Sequence, residues 1–148
     1  MHAPDTARPP AYTVVVLGLL TMFGPLSLDL YLPALPQLAD DLATSASAAQ
    51  LSITACLVGL ALGQLVAGPL SDRLGRRRPL VVGLLAYVLA SIACAFAPSV
   101  EVLVALRFVQ GLAGAAGIVI SRAIARDLYS GRALMIFFSR LLLIAGLA

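Results

Sequence analysis

Charge is what this sequence has least of. Only 11% of its 148 residues are charged and 61% are hydrophobic, with a mean hydropathy of +1.01. A soluble domain carries about 25% charged residues, so the composition excludes an ordinary water-soluble protein and indicates a membrane protein. Lysine is absent, and the net charge of +3 comes from arginines in short connectors. We interpret this excess as a signal of membrane topology rather than of nucleic-acid binding.

Residues that usually catalyse reactions or bind metals are also scarce. The two cysteines, Cys56 and Cys94, lie inside apolar runs and predict neither a disulfide framework nor a metal site. The one histidine, His2, lies in a polar tail. No nucleophile–base pair or phosphate-binding loop is evident, and the glycines from Gly111 to Gly117 fit helix packing better than nucleotide binding. We therefore predict no enzyme and no cofactor.

Apolar runs divide the chain into five predicted transmembrane helices. A bilayer core of about 30 Å requires about 20 helical residues. The sequence predicts an all-α, polytopic helix bundle after a cytoplasmic tail over residues 1–10, with helices near 12–38, 46–70, 79–97, 99–124 and 133–148. Gly24-Pro25 should kink the first helix, and Ser52, Cys56, Gly59 and Gly63 should form a small-residue packing stripe on the second.

The connector over residues 68–80 is rich in charge and glycine. Gly68 and Gly75 permit close approach and positive φ, so the chain can reverse quickly. Asp72 is expected to accept from exposed helical N–H groups or to pair with an arginine across the turn. The connector also contains four arginines: Arg73, Arg76, Arg77 and Arg78. They favour a cytoplasmic position for this connector, and therefore a cytoplasmic N-terminus. A generic positive-inside loop would explain these arginines, but not the glycines and the aspartate.

This connector resembles the loop signature of the major facilitator superfamily, G-x-L-a-D-r-x-G-r-k-x-x-l. The matching positions are Gly68, Leu70, Asp72, Arg73, Gly75, Arg76 and Leu80, whereas Ser71 replaces the usual Ala and Arg77 the usual Lys. The resemblance implies a transporter of twelve helices in two halves. It also implies that Gly68, Asp72, Arg73, Gly75, Arg76 and Arg77 form a conformational latch between those halves.

Two charges, Asp29 and Arg107, fall inside predicted spans. Intramembrane charges cost several kcal/mol and usually face a cavity or each other. Both lie roughly 12–14 Å from the outer ends of their helices at ~1.5 Å per residue, so they are expected to be able to pair across a central cavity. Proton exchange by Asp29 would then couple to transport. Alternatively, Asp29 is a helix-end residue and Arg107 a structural donor to carbonyls.

The helix that holds Arg107 also resembles a motif of this superfamily. Residues 103–116 are similar to l-x-x-x-R-x-x-q-G-x-g-a-a, whose arginine has been linked to proton transfer, and residues 29–36 are similar to the first-helix motif of drug:proton antiporters. The pattern most resembles the bicyclomycin/chloramphenicol-resistance (Bcr/CflA) branch. The resemblance implies Asp29 and Arg107 as proton-coupling residues and Tyr31 and Gln110 as lining of a substrate cavity.

The resemblance also implies the partners of the chain. These are lipid of the bacterial cytoplasmic membrane, protons driven by their gradient, small amphipathic drug-like substrates, and the C-terminal half of a transporter that this sequence would lack. Because alternating access requires one repeat to move against another, we do not expect these residues alone to complete transport. Two other interpretations stay open: a metabolite exporter of the same superfamily, and a non-transporting membrane fragment.

Overall fold

The computed structural model describes residues 10–147, and these residues form helices and turns without a β-strand. This confirms the predicted all-α class; most of the predicted tail, residues 1–9, lies outside the described part. The helices are α1 (Ala11–Tyr31), α2 (Leu35–Asp41), α3 (Ala46–Leu74), α4 (Arg77–Ala95), α5 (Val100–Leu128) and α6 (Gly131–Leu147).

Three of these helices, α3, α4 and α5, are each long and apolar enough to cross a membrane. A fourth span results if α1 and α2 are counted as one bent helix, whose two parts, Tyr12–Met22 and Leu26–Asp41, meet at 49°. The bend falls where the sequence places Gly24-Pro25. A single 3-10 turn, Leu32–Ala34, connects α1 to α2 at Pro33, since proline cannot continue regular α-helical hydrogen bonding.

Helix α5 is the centre of the bundle and packs against α1, α3, α4 and α6. It begins at a Ser99 cap, whose Oγ accepts from the Val102 N–H at 3.4 Å. Its buried residues include small ones, such as Gly111 and Gly114, which let neighbouring backbones approach closely. The functional side chains on α5 are therefore surrounded by other helices.

The predicted small-residue stripe on α3 forms the contact with α5. All four of its members are buried: Ser52, Cys56, Gly59 and Gly63. A Cβ at Gly63 would lie 2.5 Å from the Leu112 carbonyl oxygen, and one at Gly111 would collide with the Cys56 carbonyl oxygen. Because backbone stands on the other side of each contact, these glycines fix how closely α3 and α5 pack.

Two predicted helix ends are wrong. Helix α3 continues through Asp72 and Arg73 to Leu74, beyond the predicted end near Leu70, and α5 continues to Leu128, beyond Ile124. The predicted connector therefore shortens to Gly75 and Arg76, with Gly75 at a φ of +80°. Hydropathy shows where a helix leaves the bilayer, whereas hydrogen bonding and turn residues decide where the helix stops.

Candidate functional site

The Arg107 cavity, as we name it, lies between α1, α4 and α5. Its volume is about 310 Å³. Most of its lining residues carry a polar group, although the helices around it are apolar; the lining consists of Ser27, Leu30, Tyr31, Ala34, Tyr87, Ser91, Arg107 and Gln110. The sequence predicted Tyr31 and Gln110 as cavity lining, and both line this cavity. This open cavity, on which polar groups from α1, α4 and α5 converge, is the strongest candidate for a binding site in the described residues.

Arg107 is the one charged side chain in this lining, and it is only 8% exposed. Its guanidinium carbon lies 3.6 Å from the centre of the Tyr31 ring, a cation–π contact. Its Nη1 donates to Gln110 Oε1 at 2.9 Å. Its Nε is buried and has no hydrogen-bond partner among the described residues. The charge is thus held in place, but its hydrogen bonding is incomplete.

A chain of hydrogen bonds fixes Gln110 from α4. Gln110 lies one turn after Arg107 on α5, so both side chains face the same side. Its Nε2 donates to Ser91 Oγ at 2.7 Å, and Ser91 Oγ donates to the Tyr87 carbonyl at 2.7 Å. Each donor in this chain points away from Arg107, so the Gln110 carbonyl oxygen is oriented toward the guanidinium.

A second chain of hydrogen bonds fixes Tyr31 from α3. The Tyr31 and Ser52 hydroxyl oxygens lie 2.7 Å apart, and Ser52 donates to the Ala49 carbonyl. Because Ser52 has a single hydroxyl proton, Tyr31 is the donor in the first bond. The Tyr31 hydroxyl therefore points away from the cavity while its ring faces Arg107. The predicted packing stripe on α3 accordingly has a second role that the sequence did not indicate.

Asp29 does not meet Arg107 in this structure. It is exposed and forms no ion pair with any described residue. The physical reason is helical periodicity: Asp29 and Tyr31 are two residues apart, or about 200° around the helix. Since Tyr31 faces Arg107, Asp29 faces the opposite side of α1. Its predicted role in proton coupling stays a prediction.

Three polar lining residues were missed by sequence reasoning: Ser27, Tyr87 and Ser91. The Ser27 and Tyr87 hydroxyls are hydrogen-bonded to each other between α1 and α4. Tyr87 and Ser91, one turn apart on α4, bring polar groups to the cavity. The available signal was this spacing of two hydroxyls on an otherwise apolar helix, which is weak because such hydroxyls often bond their own backbone.

Two of the predicted latch residues, Asp72 and Arg76, form a separate group with Ser71 and Asp127, which we name the hairpin cluster. Arg76 donates to Asp72 on α3 and, at 3.0 Å, to Asp127 on α5. Its Nη1 also donates to Ser71 Oγ at 2.8 Å. The pKa of Arg76 is raised, first by its hydrogen bond to Asp127 and further by Asp72, while desolvation opposes the shift. Arg76 thus joins the α3–α4 turn to the end of α5.

The other latch residues contribute less directly. Gly68 contributes its carbonyl, which accepts from Ser71 Oγ at 2.8 Å, and Gly75 forms the turn. Arg73 and Arg77 are exposed and form no ion pair within the described residues. A cavity of about 360 Å³ beside the cluster is also lined by Arg122 and Arg126. Both of these arginines lie on the last turns of α5.

The described residues contain no group of three His, Cys, Asp or Glu side chains that could hold a metal ion. The two groups of polar side chains described in residues 10–147 consist of arginines, hydroxyls, an amide and, in the hairpin cluster, the carboxylates of Asp72 and Asp127. None of these groups forms a nucleophile–base arrangement.

Comparisons with known proteins agree with this architecture. The Major Facilitator Superfamily model matches residues 17–148. The chain is 49% identical over 148 residues to the uncharacterized MFS-type transporter YdgK of Bacillus subtilis, covering all of this chain and 37% of that protein. It is 46% identical over 122 residues to the chloramphenicol resistance protein of Pseudomonas aeruginosa, covering 82% of this chain and 29% of that protein.

A third relative extends the same pattern. The chain is 38% identical over 135 residues to a bicyclomycin resistance protein homolog of Haemophilus influenzae, covering 91% of this chain and 34% of that protein. The chain thus spans roughly a third of the length of the curated relatives it matches.

Proposed function

Since this chain belongs to the major facilitator superfamily, we propose that it forms part of a proton-coupled exporter of small drug-like molecules in the bacterial cytoplasmic membrane. Relatives named for chloramphenicol, bicyclomycin and multidrug resistance support the choice of substrate class. The superfamily is one of transporters, and the predicted absence of an enzyme active site agrees with that membership.

Arg107 is the observation that carries this proposal. It lies on a span-length helix, is 8% exposed, and has no carboxylate partner among the described residues. An arginine within a span is costly, and such residues usually mark substrate or ion pathways. A purely structural arginine would be expected to use all of its buried donors, yet Nε has no partner in this part of the chain. We therefore infer that Arg107 binds a substrate or ion that associates and dissociates during transport.

Proton coupling would reach Arg107 through α1. Asp29 and Tyr31 lie on opposite faces of this helix, so a shift of α1 that accompanies protonation of Asp29 also moves the Tyr31 ring on Arg107. The proposed coupling thus needs no direct Asp29–Arg107 ion pair.

The hairpin cluster would act as the latch in this cycle. Arg76 links α3 to α5 through side chains that are 30% to 64% exposed. Exposed ion pairs are individually weak, typically about 0.2–1 kcal/mol, so they can break and reform as the helices move. Ion pairs of this strength can stabilise one conformation and still allow the helices to leave it.

The experiment is an efflux assay in everted membrane vesicles. Residues 1–148 would replace the corresponding part of the Pseudomonas aeruginosa relative, with Asp29→Asn and a matched control, Asp40→Asn, in an exposed position of α2. Chloramphenicol should collapse a preset pH gradient with the parent chimera and with Asp40→Asn, but not with Asp29→Asn. Equal collapse with all three would contradict coupling through Asp29, and no collapse with the parent would contradict drug export.

A metabolite exporter is the second candidate, and one observation favours it. Six of the eight residues that line the Arg107 cavity carry a polar side-chain group. A polar lining suits a substrate with fixed hydrogen-bonding groups. If amino acids or sugars collapse the gradient in the same vesicles and chloramphenicol does not, the metabolite exporter is the better account.

A further inference from the structure

One edge of the Arg107 guanidinium, formed by Nε and Nη2, has no hydrogen-bond acceptor among the described residues. Of its donors, Nη1 is bound to Gln110, and Tyr31 covers one face of the group. Nε is buried without a partner, and no described residue accepts from Nη2. Nε and Nη2 lie side by side on the same edge of the planar guanidinium, which presents its N–H groups in a fixed fork. Such an edge matches the two oxygens of a carboxylate.

The Gln110, Ser91 and Tyr31 side chains are already engaged in other hydrogen bonds. The Gln110 carbonyl oxygen is used by Nη1, and the Ser91 hydroxyl both accepts from Gln110 and donates to a carbonyl. The Tyr31 hydroxyl is directed to Ser52. What remains for a ligand is the donor capacity and the positive charge of Arg107.

We propose that the Arg107 cavity binds the carboxylate group of a small aromatic acid, with one carboxylate oxygen on Nε and the other on Nη2. This names a substrate class for the proposed exporter, and in that respect rests on the proposed function. The volume of about 310 Å³ is at the lower end for small-molecule sites and suits a single ring. The Tyr31 and Tyr87 side chains in the lining supply aromatic surface. A cationic ligand is excluded, because the fixed positive charge repels it.

Nε is shielded from water in this conformation, so a carboxylate reaches the Nε–Nη2 edge only after the groups beside that edge rearrange. Tyr31 covers a face of the guanidinium rather than this edge, so its ring can stay in place when the carboxylate binds.

The test measures binding of the 148-residue chain in lipid nanodiscs by equilibrium dialysis. The probe is radiolabelled 4-methylbenzoate, and the matched ligands are the neutral 4-methylbenzamide and the cationic 4-methylbenzylammonium. We expect the benzoate to bind at least about tenfold more tightly than the amide, since hydrogen bonds to charged groups are stronger. The cation should not bind.

Substitutions locate the site. Arg107→Gln should lower benzoate affinity about 10- to 100-fold, whereas Arg140→Gln, on an exposed position of α6, should change it less than twofold. Gln110→Glu provides a second, nearly isosteric change that leaves Arg107 itself in place. It places a carboxylate beside Arg107 and should abolish benzoate binding while circular dichroism remains unchanged.

The outcomes are separable from those of the efflux assay. Equal binding of benzoate and benzamide, full benzoate binding by Arg107→Gln or Gln110→Glu, or no binding by the parent chain would each overturn the carboxylate site. Chloramphenicol-driven proton movement would still support the proposed function in those cases. Conversely, benzoate binding that depends on Arg107 would stand even if the chimera moved no protons.

Discussion

Two arginines, Arg107 and Arg76, show how differently one side chain is used in this molecule. Arg76 bonds two carboxylates and a hydroxyl, and its side chain is 30% exposed. Arg107 bonds one amide and one aromatic ring, meets no carboxylate among the described residues, and is 8% exposed. The arginine in the more costly environment is thus the one with fewer partners. Arg76 finds its hydrogen-bond acceptors within this chain, whereas Nε of Arg107 has no acceptor among the described residues.

We expect Arg76 to connect helices and Arg107 to bind a ligand. Removing Arg76 should loosen the connection between α3 and α5, because its partners belong to both helices. Removing Arg107 should leave most of the bundle in place, because few groups depend on it. Stability and function are therefore expected to respond in opposite ways at the two positions.

The largest effect is expected at Arg107 itself. In the everted-vesicle assay, Arg107→Gln should reduce substrate-driven proton movement about 100-fold, which corresponds to the loss of roughly 3 kcal/mol from hydrogen bonds to a charged group. Arg107→Lys keeps the charge but not the two-donor edge and should retain part of the rate. If the glutamine variant transports like the parent, Arg107 is structural.

The next effect concerns the α3–α5 contact that supports both arginines. Gly111→Ala places a methyl against the Cys56 carbonyl oxygen and should destabilise the bundle by about 1–3 kcal/mol. Gly68→Ala is the matched control on α3, since its Cβ would meet only Val119 Cγ1 at 3.9 Å. Thermal unfolding followed by circular dichroism measures both. Equal melting temperatures for the two variants would argue against this close packing.

A smaller effect is expected at Ser71, one of the two positions where this chain departs from the loop signature. Ser71→Ala removes the hydroxyl that accepts from Arg76 and donates to Gly68, and should cost about 1 kcal/mol. Hydrogen exchange of the α3–α4 turn should rise, while benzoate binding stays at the parent level. A loss of benzoate affinity would show that the two arginines are not independent.

The smallest effect is expected at Asp72, whose side chain is 64% exposed. Asp72→Asn should cost a few tenths of a kcal/mol, as for other exposed ion pairs, and the difference from the parent should shrink at 1 M salt because screening is then strong. Melting temperatures at low and high salt measure this. A large, salt-independent loss would mean that Asp72 has a buried role.

Sequence patterns predicted what depends on composition and spacing. The helix class and the superfamily are confirmed, because apolar runs and the glycine–aspartate–arginine spacing are written directly in the chain. The stripe from Ser52 to Gly63 also proved to be the packing surface of α3, since residues three and four apart share a helix face.

What the sequence did not predict depends on rotation and on hydrogen-bond geometry. Asp29 was expected to be able to meet Arg107, but the rotation of α1 that presents Tyr31 instead is set by tertiary contacts such as Tyr31–Ser52. The sequence did not identify Ser91 and Tyr87 of α4 as cavity residues, because a hydroxyl in an apolar helix has no distinctive pattern. The Asp127 partner of Arg76 lies 51 residues away along the chain, beyond any local pattern.

The most direct test compares the two arginines side by side in the full chain. Binding of 4-methylbenzoate and the melting temperature would be measured for Arg107→Gln and Arg76→Gln in the same nanodiscs. We predict that Arg107→Gln loses benzoate affinity with little change in melting temperature, whereas Arg76→Gln keeps that affinity and melts at a lower temperature. Retained binding in Arg107→Gln, or loss of binding in Arg76→Gln without unfolding, would contradict the account.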